Sequence, residues 1–409
     1  MAVLRNIDVS NKIGVSPATV QNWIKYSLAG KIHLDLTKIG NRHFIEDNLE
    51  NLDRMQKLKN QGVKYRSKTD WITHTVNDKI YEVFTDLELL NLMRSIEFHY
   101  AIPLKYSYTD AGIKSYREAL LEEFKNKNLS TSIEQKATDG FLSQIINGYI
   151  SDGYKVNIVE IGFDYQTFSI RDSLKNTFDK NALHKYISIS HSSDMHNARK
   201  KAIHEDMKLS GVEFVGVKLD FERESIQEVL WKHKQSEKGE KIVNICMLLT
   251  GALGNFKQSD DILSRIAQAM DGEDKLLVSV LLTDKDQRDK MERDINISAN
   301  RAKRHDWLFK LLNLYKHAEY KTHIYDENKS IRTREACFKD FVEIKYKVFG
   351  YEKSIKIKRD ENITYFYSRS FSITEFTQLV QKFYKIDQFN LINNEQIIFA
   401  ALSLRSQYT

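Results

Sequence analysis

Short apolar runs alternate with amphipathic segments over the central part of the chain. Five of these runs have the length of a strand, and segments of helix length separate them: residues 156–161, 186–190, 213–219, 243–249 and 276–282. Continuous apolar runs are typical of strands that are buried on both faces, and the alternation predicts a mainly parallel sheet covered by helices. The predicted fold class is therefore α/β and Rossmann-like, with ligands bound beyond the carboxyl ends of the strands.

The first 30 residues follow another pattern, which predicts two short helices joined by a turn. Val9 and Ile13 lie four residues apart on one helical face, and Gly14 permits the turn that follows. Ser16 and Pro17 have the residue types preferred at an N-cap and at the first helical position. The second helix has its apolar residues at the spacing that packs it against the first: Val20, Trp23 and Ile24.

A β-hairpin pattern follows, in which Leu34 and Leu36 alternate with polar residues before a turn at 40–41 and a second strand at 42–45. Together with the two helices, this pattern resembles the winged helix-turn-helix domains of the MerR and excisionase type, over about the first 45 residues. The resemblance implies contact with duplex DNA through the second helix and the wing. The implied residues are Ser16, Thr19, Gln21, Asn22, Lys25, Lys38, Arg42 and His43. A small helical protein-docking module with the same pattern is the alternative.

The charge distribution sets this N-terminal segment apart. Residues 1–68 contain 12 Lys/Arg and 6 Asp/Glu, whereas residues 69–409 contain 50 of each kind. Basic side chains that neutralise phosphates release condensed counterions, so a basic segment favours a polyanionic partner. A solvated basic end without a partner is the alternative.

An amphipathic helix is predicted from the residues that follow, at 47–66. Its apolar positions are Leu49, Leu52, Met55 and Leu58. MerR-type proteins dimerise through a helix after the wing, so the resemblance implies a homodimer that reads two half-sites. Packing of this helix onto the remainder of the chain is an equal alternative.

Four segments of the larger part of the chain form an ordered series: PLKYSYTDAG at 103–112, VEIG at 159–162, LTGALGNF at 249–256 and YFYSRSFS at 365–372. They resemble, in the same order, four signatures of the histidine-specific, S-adenosylmethionine-dependent methyltransferases that begin ergothioneine synthesis. The third segment is the most specific, because it is close to the Gly-Gly-Thr-Ile-Gly-Asn-Phe loop of that family. The series spans about 300 residues.

This resemblance implies a methyl-donor site with a substrate pocket beside it. The implied S-adenosylmethionine-binding residues are Glu160, Gly162, Ser190, Asp220 and Gly251. The implied substrate-binding residues are Tyr108, Asn255 and Ser368, and no metal is implied.

The domain organisation predicted is a winged helix-turn-helix at 1–46, a linker or dimerisation helix at 47–75 and a methyltransferase-like domain at 76–409. Within the last, core strands occupy about 155–285, and an additional α+β subdomain on the substrate side is formed by 76–150 and 286–409.

Several positions depart from the family pattern. The family has a Gly-Ser-Gly turn after the first strand, where side chains would collide with the donor, and this chain has FDY at 163–165. Ser190 replaces an aspartate that accepts both ribose hydroxyls, a loss of about 1–3 kcal/mol of binding free energy. Phe366 replaces a substrate-binding glutamate, and a Tyr-Asn-Asp segment is not recognisable at 288–304.

We therefore predict a DNA-binding regulator or DNA-associated factor whose methyltransferase-like domain has an eroded donor site. That domain would act as a sensor for a small-molecule effector or as an assembly module. The alternative is an active methyltransferase that modifies a histidine-like small molecule or protein and is targeted by its N-terminal module. A purely structural accessory protein is the third hypothesis.

The remaining features of the sequence exclude other classes. Only Cys246 and Cys337 are present, which favours a reducing cytoplasm. The apolar runs are far shorter than the roughly 20 residues of a membrane span, and the first residues lack the pattern of a secretory signal. A group of polar residues after the second strand matches no common metal motif: His191, Asp194, His196 and His204.

Overall fold

The computed structural model describes residues 3–30, 32–40, 42–60, 71–109, 112–114, 129–162, 170–236, 239–249, 251–282, 306–326, 329–392 and 397–405. The chain divides into two compact units, Met1–Asp70 and Trp71–Thr409. Each unit has hydrophobic core clusters of its own. None of the helices in the described ranges has the length and apolar character of a membrane span.

The first unit is a winged helix-turn-helix. It consists of β1 (Val3–Leu4), α1 (Asn6–Ile13), α2 (Pro17–Leu28), β2 (Leu36–Ile39), β3 (Arg42–Glu46) and α3 (Leu49–Asn60). The three strands form an antiparallel sheet in the order β1-β3-β2. The Ser16 hydroxyl accepts a hydrogen bond from the Thr19 NH at 3.1 Å, which confirms the predicted cap of α2. Gly14 has a φ of 71° and ends α1.

Helix α3 packs against α1 of its own unit. Met55 is fully buried in the core of this unit, whereas Leu49 is 87% exposed. The Asn51 amide accepts a hydrogen bond from the Asp35 NH at 2.9 Å and so joins α3 to the segment before the wing. Lys59 Nζ donates to the Ile13 carbonyl at the C-terminal end of α1, at 2.7 Å. Part of the predicted apolar face is therefore used inside the unit, and dimerisation through this helix stays a prediction.

The second unit is built on a seven-stranded sheet in the order β15-β16-β9-β8-β5-β6-β7. The five predicted strands are its parallel part: β5 (Lys155–Ile161), β6 (Leu183–Ser190), β7 (Phe214–Lys218), β8 (Ile242–Leu248) and β9 (Lys275–Leu281). Two antiparallel strands follow later in the chain, β15 (Tyr384–Ile392) and β16 (Ile397–Leu404), and β16 pairs with β9. The predicted mainly parallel α/β sheet is confirmed.

Both faces of this sheet are covered. Successive residues of β5 point to opposite sides, so Ile158 and Val159 belong to different core clusters. The helices of the sheet layer are α6 (Leu129–Ser151), α7 (Arg171–Asp179), α8 (Ser193–Lys201), α9 (Gln227–Lys234), α10 (Ser259–Ala269) and α11 (Ile373–Val380). The sheet layer therefore draws α6, α11, β15 and β16 from outside the predicted core range of 155–285.

The additional α+β subdomain has a core of its own. It contains β4 (Ile72–Thr75), α4 (Ile80–Val83), α5 (Asp86–His99), β10 (Ala318–Asp326), β11 (Ile331–Phe338), β12 (Val342–Val348), β13 (Tyr351–Ile357) and β14 (Asn362–Arg369). Its strands form two three-stranded sheets, β13-β12-β4 and β10-β11-β14. The Phe371 NH, after β14, donates to the Leu281 carbonyl of β9 at 2.9 Å and links the subdomain to the main sheet.

Candidate functional site

Three predicted donor-site residues lie at adjoining ends of parallel strands. The NH of Gly162, after β5, donates to the Ile189 carbonyl of β6 at 3.1 Å. The NH of Leu219, after β7, donates to the Ser190 carbonyl at 2.9 Å, and Asp220 is the next residue. The fold therefore brings Gly162, Ser190 and Asp220 to the edge of the sheet where ligands of such folds bind.

Glycine at position 162 is required by its backbone conformation. Gly162 has a φ of 120°, which L side chains rarely adopt, and an added Cβ would meet only Leu248 Cδ1, at 4.0 Å. Ser190 is fully buried, and its hydroxyl accepts a hydrogen bond from the Ser192 NH at 3.4 Å. No side chain therefore covers the backbone at Gly162. The Ser190 hydroxyl, which replaces the family's aspartate, contacts the backbone of its own chain.

The carboxylate of Glu160 is paired inside the protein. Arg199 Nε, on α8, lies 3.1 Å from Glu160 Oε2, and both side chains are 0% exposed. The Tyr186 hydroxyl donates to the same carboxylate oxygen. The guanidinium of Arg199 also donates to Ser188 Oγ at 2.8 Å and to the Gly162 carbonyl at 3.1 Å. A buried cation therefore neutralises the first donor-site acid from beneath the Gly162 turn.

A second buried cation neutralises Asp220. Lys105 lies in the 3-10 turn Leu104–Tyr108, and its side chain is 4% exposed. Its Nζ lies 2.5 Å from Asp220 Oδ2. Lys105 belongs to the segment at 103–112, but the sequence assigned it no role because its partner is 115 positions away. Both predicted acids of the donor site are therefore paired with basic side chains of the same chain.

A cavity of about 410 Å³ opens beside Asp220. Polar residues that line it include Glu88, Asn91, Tyr106, His191, Lys218, Asp220, Arg223 and Glu224. Glu88 Oε1, from α5, lies 3.0 Å from Lys218 Nζ and 3.5 Å from His191 Nε2. Burial opposes ionisation of Glu88, but a hydrogen bond from the Thr85 NH and the ammonium of Lys218 outweigh it and lower the pKa. Burial, together with nearby Lys105, lowers the pKa of His191.

A second histidine, His196, joins the buried network of Glu160, Arg199 and Ser188. His196 Nδ1 lies 2.8 Å from Ser188 Oγ, the hydroxyl that also receives a hydrogen bond from Arg199. Burial and the neighbouring guanidinium of Arg199 lower the pKa of His196 to about 4. The imidazole is therefore neutral at neutral pH.

We expect acidification to destabilise the second unit through His196. An unfolded histidine has a pKa of about 6.5, so between that pH and about 4 the unfolded chain binds a proton that the folded chain does not. This contribution is fully present above pH 6.5, is lost as the pH falls towards 4 and amounts to at most roughly 3 kcal/mol. Urea unfolding at pH 7.5 and 4.5 measures it in the wild type, in His196→Gln and in a control with exposed His99→Gln. The His196 variant should lose less stability than the others, and equal losses would contradict the assignment.

The sequence signatures at 249–256 and 365–372 contact each other in the structure. The 3-10 turn Ala252–Asn255 packs so closely on the end of β14 that a Cβ on Gly254 would lie 2.1 Å from the Arg369 carbonyl oxygen. The predicted substrate-binding residues Asn255 and Ser368 are the direct neighbours of these two. Gly251, before the turn, has a φ of 73°. The turn and the strand end are therefore in direct contact.

Two further predicted positions lie on β14 itself and on the 3-10 turn Leu104–Tyr108, which contacts β14. Tyr108 is 3% exposed and belongs to the core cluster that contains Leu253 of the turn. Phe366, at the position of the family's glutamate, pairs with Arg334 across β11 and β14. The Arg334 guanidinium lies 5.2 Å from the centroid of the Phe366 ring, and the side chain is largely buried. The position at which the family has a glutamate is therefore occupied here by the Phe366 ring, with the Arg334 guanidinium against it.

The predicted DNA-contacting residues lie on the surface of the first unit. Helix α2 buries Val20, Trp23 and Ile24. The predicted contacts are exposed or half-buried: Ser16, Thr19, Gln21, Asn22, Lys25, Lys38, Arg42 and His43. Within the described part of this unit, Lys12 pairs with Asp47 at 3.0 Å, whereas Lys25, Lys38 and Arg42 form no ion pair.

Two predicted departures from the family, FDY at 163–165 and the segment at 288–304, lie outside the described residues. Among the residues that are described, no group of three or more His, Cys, Asp and Glu side chains could hold a metal ion. His191 and His196 have the contacts given above, and His204 Nε2 lies 2.9 Å from the Val212 carbonyl.

Comparison with known proteins gives two family matches. The model of the histidine-specific, S-adenosylmethionine-dependent methyltransferases matches residues 89–388. The model of the MerR helix-turn-helix regulatory proteins matches residues 7–67. Both sequence resemblances are thereby confirmed. No curated protein matches the chain.

Several solved structures are similar at low identity. One is a protein of Pyrococcus horikoshii OT3, with 10% identity, 66% of this chain and 91% of that chain covered, and a TM-score of 0.36. Another is the 1,6-didemethyltoxoflavin-N1-methyltransferase of Burkholderia thailandensis with bound S-adenosylhomocysteine, with 8% identity, 75% and 92% coverage, and a TM-score of 0.33. A third is the N-methyltransferase NodS of Bradyrhizobium japonicum WM9, with 8% identity, 65% and 96% coverage, and a TM-score of 0.30.

Proposed function

We propose a function for this chain, which belongs to the family of histidine-specific, S-adenosylmethionine-dependent methyltransferases. In our proposal it is a DNA-binding protein whose methyltransferase domain has an eroded donor site. In this proposal the N-terminal unit binds duplex DNA. The large unit acts as a sensor for a small-molecule effector or as an assembly module.

The internal pairing of both donor-site acids carries the proposal for the large unit. S-adenosylmethionine has an ammonium and a sulfonium group, and a site that grips it benefits from acceptors with free negative charge. Glu160 is instead paired with Arg199, and one carboxylate oxygen of Asp220 is paired with Lys105. Breaking a buried ion pair to free such an acid costs about 3–5 kcal/mol. The residues present therefore fit the donor poorly, and we derive no methyl-transfer step from them.

The surface of the first unit supports the DNA-binding part of the proposal. Gln21 and Asn22 are exposed on α2, and amide side chains can form paired hydrogen bonds with adenine edges in the major groove. Lys25, Lys38 and Arg42 are exposed and form no ion pair with the described residues, so their charges are available to phosphates. The MerR-type match over residues 7–67 agrees with this assignment.

An active methyltransferase is the second candidate. Gly162 and Gly251 both have positive φ at the strand ends and leave the backbone bare, as a closely bound donor requires. Asn255 and Ser368 lie on two segments that touch. In this alternative, the first unit targets the enzyme, and its acceptor is a histidine-like small molecule or protein.

Calorimetry with S-adenosylmethionine separates the two candidates. We expect no binding heat up to about 1 mM ligand, since Glu160 would first have to release a buried cation and Asp220 is already half-neutralised by Lys105. S-adenosylhomocysteine, which lacks the sulfonium charge, serves as the second ligand. Cooperative urea unfolding of the second unit in the same preparation controls for correct folding. Micromolar affinity for either ligand would contradict the eroded site and favour the enzyme.

We further propose that the protein works as a cytoplasmic homodimer on two DNA half-sites. The outward apolar residue of α3, Leu49, is 87% exposed and available to a second copy. Sedimentation equilibrium of the full chain would detect the dimer, and a monomer at tens of micromolar would refute it.

A further inference from the structure

The hairpin β12–β13 of the second unit ends in an exposed aromatic tip. Phe349 and Gly350 form its turn, with φ values of 53° and 79°. Two consecutive left-handed residues are typical of a type I′ turn, where Asn-Gly is preferred and a bulky residue at the first position is disfavoured. Phe349 is nevertheless 56% exposed, and Tyr351 is 71% exposed. The chain therefore keeps a strained aromatic residue where it gains little packing.

Residues of α4 and α5 hold the tip in place. The Phe349 NH donates to Asp86 Oδ2 at 2.6 Å, and the Lys347 NH donates to the Tyr81 hydroxyl at 2.9 Å. Tyr346 and Val348, on the inward face of β12, are buried in the subdomain core. Phe349 is thus presented on a fixed support, and with the exposed Tyr351 two residues later it forms an aromatic tip.

Basic side chains surround this tip. Residues 342–359 contain six Lys/Arg and two Glu, although residues 69–409 as a whole contain equal numbers of basic and acidic residues. Lys345 and Lys347 lie on the outward face of β12, and Lys353 lies on the edge strand β13. Lys345 is 3.6 Å from Glu352, while no ion pair involves Lys347 or Lys353 within the described ranges. The hairpin is complementary in charge to a polyanion.

We propose that this hairpin, which we call the β12–β13 arm, is a second contact with duplex DNA. Strand β4 pairs only with residues 342–345 of β12, so the arm is two-stranded towards its tip. Because the inward face of the arm packs on the subdomain core, only its tip can enter a DNA groove. Aromatic or aliphatic side chains at such tips can wedge between base steps while lysines contact phosphates. The inference rests on the proposed function in that duplex DNA is taken as the partner of this chain.

Salt titration of duplex binding tests the charged part of the arm. In the full chain, the triple variant Lys345→Gln, Lys347→Gln and Lys353→Gln should lower the affinity by about tenfold or more at 0.15 M salt. The slope of log K against log salt should fall by about 2 to 3, because each lost phosphate contact removes roughly 0.9. A matched control replaces three lysines outside the arm by glutamine, Lys200, Lys257 and Lys316, and should leave both quantities unchanged.

A single substitution tests the tip. It should raise thermal stability and lower duplex affinity, and a purely structural role of Phe349 would not give this combination. Phe349→Asn introduces the preferred Asn-Gly turn, so we expect a higher midpoint of thermal unfolding together with a loss of duplex affinity of about five- to tenfold. The end-to-end distance of a fluorescently labelled duplex should also show less bending. Phe98→Asn is the control, since Phe98 is 65% exposed on α5 and lies outside the arm.

The outcomes separate this inference from the proposed function. If substitutions of Lys25, Lys38 and Arg42 abolish duplex binding while both arm variants bind as the wild type does, the arm is not a DNA contact and the proposed function stands. If the wild type binds no duplex, the proposed function fails and the arm proposal with it. If the arm variants change only self-association or the binding of a poly-glutamate probe, the arm binds protein, which also overturns the inference.

Discussion

Replacing Lys25, Lys38 and Arg42 together by glutamine should weaken duplex binding by about a hundred- to a thousandfold at 0.15 M salt. Each of these side chains is exposed and forms no ion pair with the described residues, so each can release counterions from a phosphate on binding. The slope of log K against log salt should fall by about 3. Fluorescence anisotropy with a labelled duplex, measured from low to physiological salt, provides both quantities.

The first unit also supplies the control for this experiment. Arg5 lies 2.9 Å from Asp8, and Lys12 lies 3.0 Å from Asp47, so their charges are balanced within the unit. Glutamine at both positions should change the affinity far less than the triple variant does. Similar losses in the two variants would mean that net charge alone drives binding, and the assignment of α2 and the wing as the contact surface would be wrong.

Replacing Arg199 by leucine should destabilise the second unit by about 3–5 kcal/mol, because it leaves the carboxylate of Glu160 buried without a cation. Adding Glu160→Gln in the same chain should recover much of this loss, because the buried charge is then removed as well. Equilibrium unfolding in urea of the wild type, both single variants and the double variant gives the coupling energy. The neighbouring exposed lysine provides the control Lys200→Leu.

A double variant no more stable than Arg199→Leu would show that Arg199 acts by filling space and not by neutralising Glu160. That result would also weaken the argument for an eroded donor site, because Glu160 would not depend on the guanidinium. If Glu160→Gln restores the free energy of unfolding, Arg199 acts by neutralising Glu160 at the end of β5.

The strands of the main sheet and the N-terminal helices could be predicted because their signals are local. Five apolar runs and a Ser-Pro cap are sufficient to locate β5 to β9 and α2. The places of β15 and β16 in the main sheet could not be predicted in the same way, since a strand's neighbours depend on long-range pairing. Their residues were assigned by sequence to the substrate-side subdomain, whereas β16 lies beside β9.

The candidate site was predictable only in part. The placement of Gly162, Ser190 and Asp220 at adjoining strand ends could be predicted, because each lies at or just after the end of a recognisable strand. Arg199 could not, since it precedes Lys200 and Lys201 on one helix and nothing local distinguishes the buried residue from its exposed neighbours. The β12–β13 arm was also missed, because alternating lysines and apolar residues predict an ordinary edge strand, and only the structure shows the left-handed Phe349.

The late position of β16 has a consequence for biosynthesis. Residues 397–404 fill the place beside β9, so the ribosome must translate over a hundred residues beyond β9 before that strand has its partner. Throughout this interval β9 has an unpaired edge, which is prone to intermolecular pairing. The first unit, by contrast, pairs its strands and forms its core within one compact stretch of the chain. The first unit can therefore complete its sheet during translation while the edge of β9 in the larger unit is still unpaired.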